Sequence, residues 1–295
     1  MLGIDLTLAY NGTPVVHGAD IALAPGRVTA LVGPNGSGKS TLLRTLARLH
    51  APESGRIELP AEGIDTADVA PSDAAPIDAL SLSNRDFARR VTLLAQSRPT
   101  PAGLTVREVV EFGRHPHRGR WTRGDADGAA VVENAMSITG VAELAERQVD
   151  RLSGGQLQRV WLASCLAQDT AVLLLDEPTT YLDLRYQVEL LDLIRDLAEV
   201  HGVTIGVVLH DLDQAAAIAD HVVLLAGGRV QASGSPEQVL TSELLSDAYG
   251  IRVDVHNDEA SGHVRTRAIG RHNSAKARTA TSAAESRPVL ELALA

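Results

Sequence analysis

Residues 33 to 40 read Gly33-Pro34-Asn35-Gly36-Ser37-Gly38-Lys39-Ser40, and this stretch decides how the rest of the chain is read. It fits the pattern G-x-x-x-x-G-K-[ST], in which glycines let the backbone fold tightly so that its N–H groups point inward at a phosphate. Residues 27–32 before it read as a strand and 40–49 after it as a helix, whose positive end adds to the anion site. Lys39 is then expected to reach the β- and γ-phosphates of a nucleoside triphosphate, and the Ser40 hydroxyl to ligate Mg²⁺. A glycine-rich turn before an ordinary helix is the plainer alternative, but a chance match in a chain of this composition is about two in a thousand. Cation usage points the same way. Of 27 Lys and Arg, only Lys39 and Lys276 are lysine, and arginine's rigid planar fork does not replace a compact ammonium at this point.

Working outward, the first thirty residues alternate polar and apolar with turn signals at Asn11-Gly12 and Pro25-Gly26, which predicts short antiparallel strands. Residues 58–84 hold six acids, no Lys or Arg and several Pro and Ala, the composition of a solvated loop. Thr105-Val-Arg-Glu108 is a capping box opening a short helix that Gly113 closes. Helical stretches are expected at 128–147, 154–167, 184–200 and 212–219, with buried strands at 171–175 and 203–209. Residues 222–225 and 229–232 read as a hairpin turning at Gly227-Gly228, and Ser235-Pro236-Glu237-Gln238 starts another helix. Beyond about Arg271 the composition shifts to Ala, Ser, Thr and Arg without periodicity, so residues 272–295 are expected to be a disordered tail. Strand-loop-helix units in the middle imply a parallel sheet covered by helices, with phosphate chemistry at the carboxyl ends of the strands.

Two further segments carry chemistry. The apolar run at 171–175 ends in Asp176 and Glu177. At a strand tip Asp176 can hold a Mg²⁺ shell, and Glu177 can accept a proton from water attacking the γ-phosphate. Leu152-Ser153-Gly154-Gly155-Gln156 precedes a helix; it is either a second anion site made of exposed N–H groups or a plain serine-capped helix.

The bulk composition sets limits. The 295 residues are 44% hydrophobic and 22% charged, ample for one large α/β domain or two small ones. With 27 basic against 37 acidic residues the net charge is −10, a poor match for nucleic acid, and few aromatics leave few stacking platforms for single strands. The lone Cys165 rules out an intramolecular disulfide and suits a reducing compartment. No apolar run approaches the roughly 20 residues that cross a bilayer, so a soluble or peripheral protein is expected.

In chain order, the phosphate loop, Gln96 after 91–95, Leu152 to Gln156, Leu174-Leu-Asp-Glu-Pro178, Tyr181-Leu-Asp183 and His210 after 203–209 resemble the ATP-binding subunit of an ABC transporter. The likeness covers roughly residues 2 to 271. It implies an α/β fold: the parallel sheet of a phosphate-loop NTPase, an antiparallel β subdomain, and an α-helical subdomain inserted at about 97–165. It also implies two copies paired head to tail, each ATP held between the phosphate loop of one and Ser153, Gly154, Gly155 and Gln156 of the other. By the same resemblance Pro34, Asn35, Gly36, Ser37, Gly38, Lys39, Ser40 and Thr41 cradle the phosphates and Tyr10 stacks on adenine. Ser40, Gln96 and Asp176 serve Mg²⁺, Glu177 is the base, His210 contacts the γ-phosphate and orients Glu177, and Asp183 couples the two sites.

A finer likeness lies in Leu42-Leu-Arg-Thr-Leu46, Val91-Thr-Leu-Leu-Ala-Gln96, Gly113-Arg-His-Pro-His117 and Leu175-Asp-Glu-Pro-Thr-Thr-Tyr-Leu-Asp183. These resemble importers of iron chelates, haem and cobalamin, nearest the ferric-enterobactin type. Partners implied are membrane permease subunits and, indirectly, a substrate-binding protein, with the chain on the cytoplasmic face of the membrane. The cargo this likeness implies is a ferric siderophore, with haem, cobalamin or another metal chelate as the alternative; a soluble ABC ATPase acting on nucleic acid usually has tandem cassettes or a coiled-coil insert, neither of which is found. Leu157, where a basic residue is common, the long acidic insert and the tail depart from the pattern. The basic stretch from Arg114 to Arg123 with His115 and His117 reads either as a solvated face or as a docking site for a permease loop that uses Arg118 and Arg120.

Overall fold

The computed structural model describes residues 1–61, 75–96, 98–118, 125–259 and 262–270. β1 (Leu2–Tyr10) and β2 (Thr13–Ala22) form a hairpin whose turn residues Asn11 and Gly12 both have positive φ, 50° and 77°, the conformation that matches the twist of paired strands. β3 (Val28–Val32) is buried along its length and leads through the glycine loop into α1 (Lys39–Leu46). β4 (Ser54–Leu59) and the short β5 (Ile77–Asp78) return to the hairpin, giving an antiparallel sheet in the order β2-β1-β4-β5. Next come α2 (Asn84–Ala88), β6 (Val91–Leu94) and three helices, α3 (Val106–Glu111), α4 (Gly128–Ile138) and α5 (Gly154–Ala167). β7 (Val172–Asp176), α6 (Leu184–Glu199), β8 (Thr204–Val208) and α7 (Leu212–Ile218) follow as alternating units. The hairpin β9 (His221–Ala226) and β10 (Arg229–Gly234), the single turn α8 (Pro236–Val239), α9 (Ser242–Tyr249) and a last hairpin, β11 (Val253–Asn257) with β12 (Val264–Ala268), complete it.

The central sheet runs β10-β9-β3-β8-β7-β6, parallel throughout except for β10. β3, β7 and β8 are buried at every residue, which is why they read as unbroken apolar runs rather than as alternation. The register aligns their carboxyl ends: Leu31 and Asp176 both lie opposite Val208, and Leu94 lies opposite Leu175. The chain therefore leaves β3, β6, β7 and β8 on one edge of the sheet, and Gly33, Gln96, Glu177 and His210 all stand one or two residues past a strand end.

Three hydrophobic clusters hold the layers. One lies under α6 and α7 and includes Ile194, Leu197, Val207 and Ala215; a second joins α1 and the antiparallel sheet to the other face through Leu8, Val16, Leu42 and Leu46. The third is confined to the inserted helices, with Val106, Val109, Met136 and Val149. α5 serves two of them, Leu162 and Cys165 in the first and Val160, Ala163 and Ala167 in the third.

Most expected elements stand within two or three residues of their predicted bounds, and two expectations change. The helix expected over 128–147 stops at Ile138 because Gly140 takes a left-handed φ of 68°, and only isolated turns follow. The stretch 58–84 is not one loop in its described part: Leu59 pairs with Ile77 and Glu58 with Asp78, and Ser83 caps α2 through Asp86 N–H. Residues 62–74 and the tail 272–295 lie outside the described residues. α9 and the last hairpin were not anticipated.

Candidate functional site

The phosphate loop is shaped by what surrounds it. Gly33 has φ 141°, and a Cβ there would sit 1.9 Å from the Leu225 carbonyl oxygen; at Gly38, φ 102°, it would sit 2.5 Å from Val16 Cγ2. The loop is thus pressed between β9 and β2 and admits no side chain at either position. Lys39 opens α1 and is 5% exposed. Its ammonium donates to the carbonyls of Gly33 at 2.8 Å and Pro34 at 3.0 Å. Burial lowers its pKa, opposed by the nearby carboxylates of Glu177 and Asp176, so the lysine and both acids share one electrostatic site.

Asp176 ends β7 fully enclosed. Its Oδ2 accepts from Arg44 Nε at 3.2 Å and Nη2 at 3.1 Å, while Oδ1 is buried with no partner. Among the described residues only three buried side-chain polar atoms lack a partner, and two belong to this site, Asp176 Oδ1 and Ser37 Oγ. Buried polar atoms are rarely left unsatisfied. A free hydroxyl in the glycine loop and a free carboxylate oxygen at the strand end beside it suit a phosphate and a hard divalent cation. The donor set with the half-buried Ser40 hydroxyl fits Mg²⁺.

One residue further, Glu177 departs from the strand with φ 53° while its N–H donates to the Val208 carbonyl at 3.2 Å. Its carboxylate is where the strand ends converge. His210 Nε2 lies 2.7 Å from Oε1, and the Gln96 amide donates to Oε2, which the Thr180 hydroxyl also approaches at 3.4 Å. Groups from positions 96, 177 and 210, unrelated in sequence, meet on one carboxylate because β6, β7 and β8 are neighbours in register. An oriented carboxylate of this kind can take a proton from a water molecule.

The other expected residues are distributed differently. Tyr10 ends β1 with its ring 45% exposed and 4.5 Å from the His50 ring, tilted by 37°. Pro34, Asn35, Gly36 and Thr41 lie in the loop and the first turn of α1, with Asn35 and Gly36 exposed. Ser153 and Gln156 satisfy each other as a capping box, Gln156 N–H to Ser153 Oγ at 3.3 Å and Ser153 N–H to Gln156 Oε1 at 3.1 Å. Gly155 is required by packing, since a Cβ would meet the Tyr186 ring at 2.7 Å, whereas one on Gly154 would meet nothing within 4 Å. Among the described residues no hydrogen bond or ion pair joins Ser153, Gly154, Gly155 or Gln156 to the phosphate loop. Asp183 is exposed at the start of α6 and makes no cap hydrogen bond.

The basic stretch is corrected in part. Arg114 is no surface charge: its side chain is 5% exposed, paired with Asp125 at 2.6 and 2.8 Å and donating to the Ala167 carbonyl at 3.0 Å. His117 Nε2 meets the Gln168 carbonyl at 2.8 Å, and Arg85 of α2 donates to the carbonyls of Pro116 and Arg118. His115 and Arg118 remain exposed; Arg120 lies outside the described residues. Sequence reasoning missed Arg44 as a partner of Asp176, although Ser40 and Arg44, four apart, share a helix face.

Comparison with known proteins gives consistent findings. The family model described as ABC transporter matches residues 16–180. The ferric enterobactin transport ATP-binding protein of Escherichia coli (strain K12) is 41% identical over 269 residues, 91% of this chain and 94% of that protein. A petrobactin import ATP-binding protein of Bacillus anthracis is 40% identical over 260 residues, 87% and 89% of the two chains. Among solved structures, an ABC transporter described as of metal-chelate type, in an inward-facing conformation, aligns with a TM-score of 0.74 at 25% identity, over 92% of this chain and 97% of that one.

Proposed function

Since this chain belongs to the ABC transporter family, we propose that it is the ATP-hydrolysing subunit of a membrane importer and that the cargo it energises is a ferric siderophore. The observation that carries the reading is the carboxylate of Glu177 held between His210 and Gln96 beside the buried Lys39. Residues 1–271 then act as one ABC ATPase, with about 97–165 as its helical part.

In this reading the N–H groups of the loop and Lys39 bind the triphosphate, and Pro34, Asn35, Gly36, Ser37, Gly38, Ser40 and Thr41 line it. Tyr10 offers its exposed ring to adenine. Ser40, Gln96 and Asp176 would hold Mg²⁺, which when bound neutralises phosphate charge. Glu177 accepts the proton of the attacking water at a carboxylate oxygen, and His210 and Gln96 keep that carboxylate aimed.

The site is incomplete in one chain, because Ser153, Gly154, Gly155 and Gln156 make no bond to its own loop. A second copy, related by a two-fold axis, supplies them. Supporting this, Tyr181 is 94% exposed and Leu184 is 77% exposed on either side of Asp183, apolar surface that a partner copy would cover. ATP binds the closed pair better than the open one, so binding drives closure and hydrolysis releases it.

Among the described residues no helix is long and apolar enough to cross a membrane, so attachment to the cytoplasmic face runs through permease subunits. A groove of about 530 Å³ lined by Asn84, Arg85, Ala88, His115, Pro116 and Arg118 is the surface for their cytoplasmic loop. Charge reversal at Arg118 should then weaken co-purification with the permease while leaving nucleotide affinity intact; unchanged co-purification removes this surface from the reading. The cargo is tested by reconstituting the chain with its native permease in liposomes and adding loaded substrate-binding proteins. Stimulation of ATP hydrolysis by a ferric-siderophore-loaded protein supports the reading; stimulation by a haem- or cobalamin-loaded one instead replaces the cargo.

A further inference from the structure

The loop between Glu177 and α6 has little backbone support of its own. Its internal bonds, Thr180 N–H to the Glu177 carbonyl and Leu182 N–H to the Thr179 carbonyl, are both 3.3 Å long, and Glu177 and Tyr181 take positive φ values of 53° and 66°. Non-glycine residues persist in that region when their surroundings over-determine them. Three glutamines from three helices do so here. Gln158 of α5 donates to the Pro178 carbonyl at 3.0 Å. Gln187 of α6 donates to the Leu182 carbonyl at 3.0 Å and the Thr179 carbonyl at 3.4 Å. Gln214 of α7 accepts from the Thr179 hydroxyl at 3.0 Å and donates to Gln187 Oε1 at 3.0 Å.

The bonds form one directed chain, from the Thr179 hydroxyl to the Gln214 oxygen, from the Gln214 amide to the Gln187 oxygen, and from the Gln187 amide back to the loop. Each amide has a single orientation that satisfies both neighbours. The far end is anchored as well. α7 begins two residues after His210 and is held to the last hairpin, where Thr266 N–H and hydroxyl donate to Asp213 Oδ1 at 2.8 and 2.9 Å.

We propose that Gln187 and Gln214 are positioning residues that lock the loop 178–183 to the helix following His210, so that Asp183 on the outer surface and the Glu177–His210 pair move as one body. This rests on the reading of the chain as an ATPase that works as a pair of copies. Glu177 enters the loop, His210 leads into α7, and the two glutamines close the circuit behind them, so a shift of Asp183 imposed by a second copy reaches the reacting carboxylate without dissipating in a soft loop.

The test is steady-state Mg²⁺-dependent ATP hydrolysis by the purified full chain, comparing wild type with Gln214→Leu, Gln187→Leu, the double variant and Gln214→Glu, with thermal midpoints for all. Gln214→Glu keeps size and the acceptor for Thr179 but loses the donor to Gln187, so it keeps the proposal testable should a leucine variant fold poorly. Each single variant is expected to lose about ten- to hundredfold in kcat, the scale of a slightly misplaced group, with KM for ATP within about twofold. The double variant should be no worse than the worse single one, the signature of residues acting as a unit. Retained kcat in Gln214→Glu and Gln187→Leu, losses that multiply in the double variant, or KM rising in step with the fall in kcat overturns it. Absence of hydrolysis in the wild type is the different result that counts against the ATPase reading itself.

Discussion

His210 Nε2 stands 2.7 Å from Glu177 Oε1, and this contact joins two residues 33 apart in sequence, each just past the end of one of two neighbouring parallel strands. Gln96, from a third strand, holds the other oxygen. An ionised carboxylate offers about four lone-pair sites, so these contacts fix its plane and still leave acceptor capacity for water.

Replacing Glu177 with Gln keeps the shape and removes the proposed base. Hydrolysis should fall by about 10²–10⁴-fold, the usual contribution of a general base, while ATP binding persists and the protein elutes as a dimer when ATP is present. Turnover within about tenfold of wild type, measured by phosphate release, removes Glu177 from that role.

Lys39 is to be tested by both size and charge. Lys39→Ala should weaken binding of a fluorescent ATP analogue by about 10–100-fold, the range for a lost hydrogen bond to a charged group. Lys39→Arg should fail to restore it, because the buried ammonium fits between the Gly33 and Pro34 carbonyls and a planar fork does not. Full affinity in the arginine variant would show that charge alone matters.

Neighbouring glycines should part company. Gly155→Ala puts a methyl against the Tyr186 ring and should cost about 1–3 kcal/mol of stability by overpacking. Gly154→Ala meets nothing within 4 Å and should leave the urea midpoint nearly unchanged, yet reduce hydrolysis if that surface closes on a second copy. Wild-type turnover in Gly154→Ala excludes Gly154 from the shared site.

The pair of Arg114 and Asp125 sets an acid limit. The hydrogen bonds from Arg114 hold the Asp125 carboxyl below the usual carboxylate range. A depressed folded-state pKa contributes stability that is fully present above the unfolded value of about 4 and is lost as pH falls through the folded value. Asp125→Asn should therefore destabilise the chain at pH 7 by on the order of 1–3 kcal/mol, by leaving the buried Arg114 with only the exposed Asp169 carboxylate, 3.9 Å away, as counter-charge. Its deficit against wild type should shrink below about pH 4. A deficit constant from pH 7 to pH 3 would assign the loss to packing instead.

Legibility followed the reach of each signal. The phosphate loop and the buried strands were readable because the loop has its own spacing and a strand buried on both faces leaves an uninterrupted apolar run. Glu177 stood out as a carboxylate where such a run stops, whereas Gln96 and His210, which also follow strands, were marked only by the family resemblance. Arg44 and Asp176 are 132 residues apart, and nothing local marks one as the other's partner. Arg114 looked like a solvated charge because the sequence around it is basic, while the carboxylate that buries it lies eleven residues on. The last hairpin was hidden by composition. β11 and β12 interleave Val253, Val255 and Val264 with Asp, His, Asn and Arg, and they bury mainly Val253 and Val264, too thin an apolar stripe to announce a strand. The helix expected to run to residue 147 was cut by Gly140, a residue whose left-handed φ is a tertiary outcome as much as a local preference.

From Gly155 to Ala167 the helix α5 has no exposed residue, because it is wedged between two hydrophobic clusters. A library randomised along it would return almost one answer at Val160, Leu162, Ala163, Cys165 and Ala167, while packing would place no demand on the exposed Gly154 just ahead. The lone thiol Cys165 is buried on the wall of a cavity of about 420 Å³ that Val131, Ile138 and Leu173 also line. Its labelling rate therefore offers a built-in gauge of how readily that space between the inserted helices and the sheet admits a reagent.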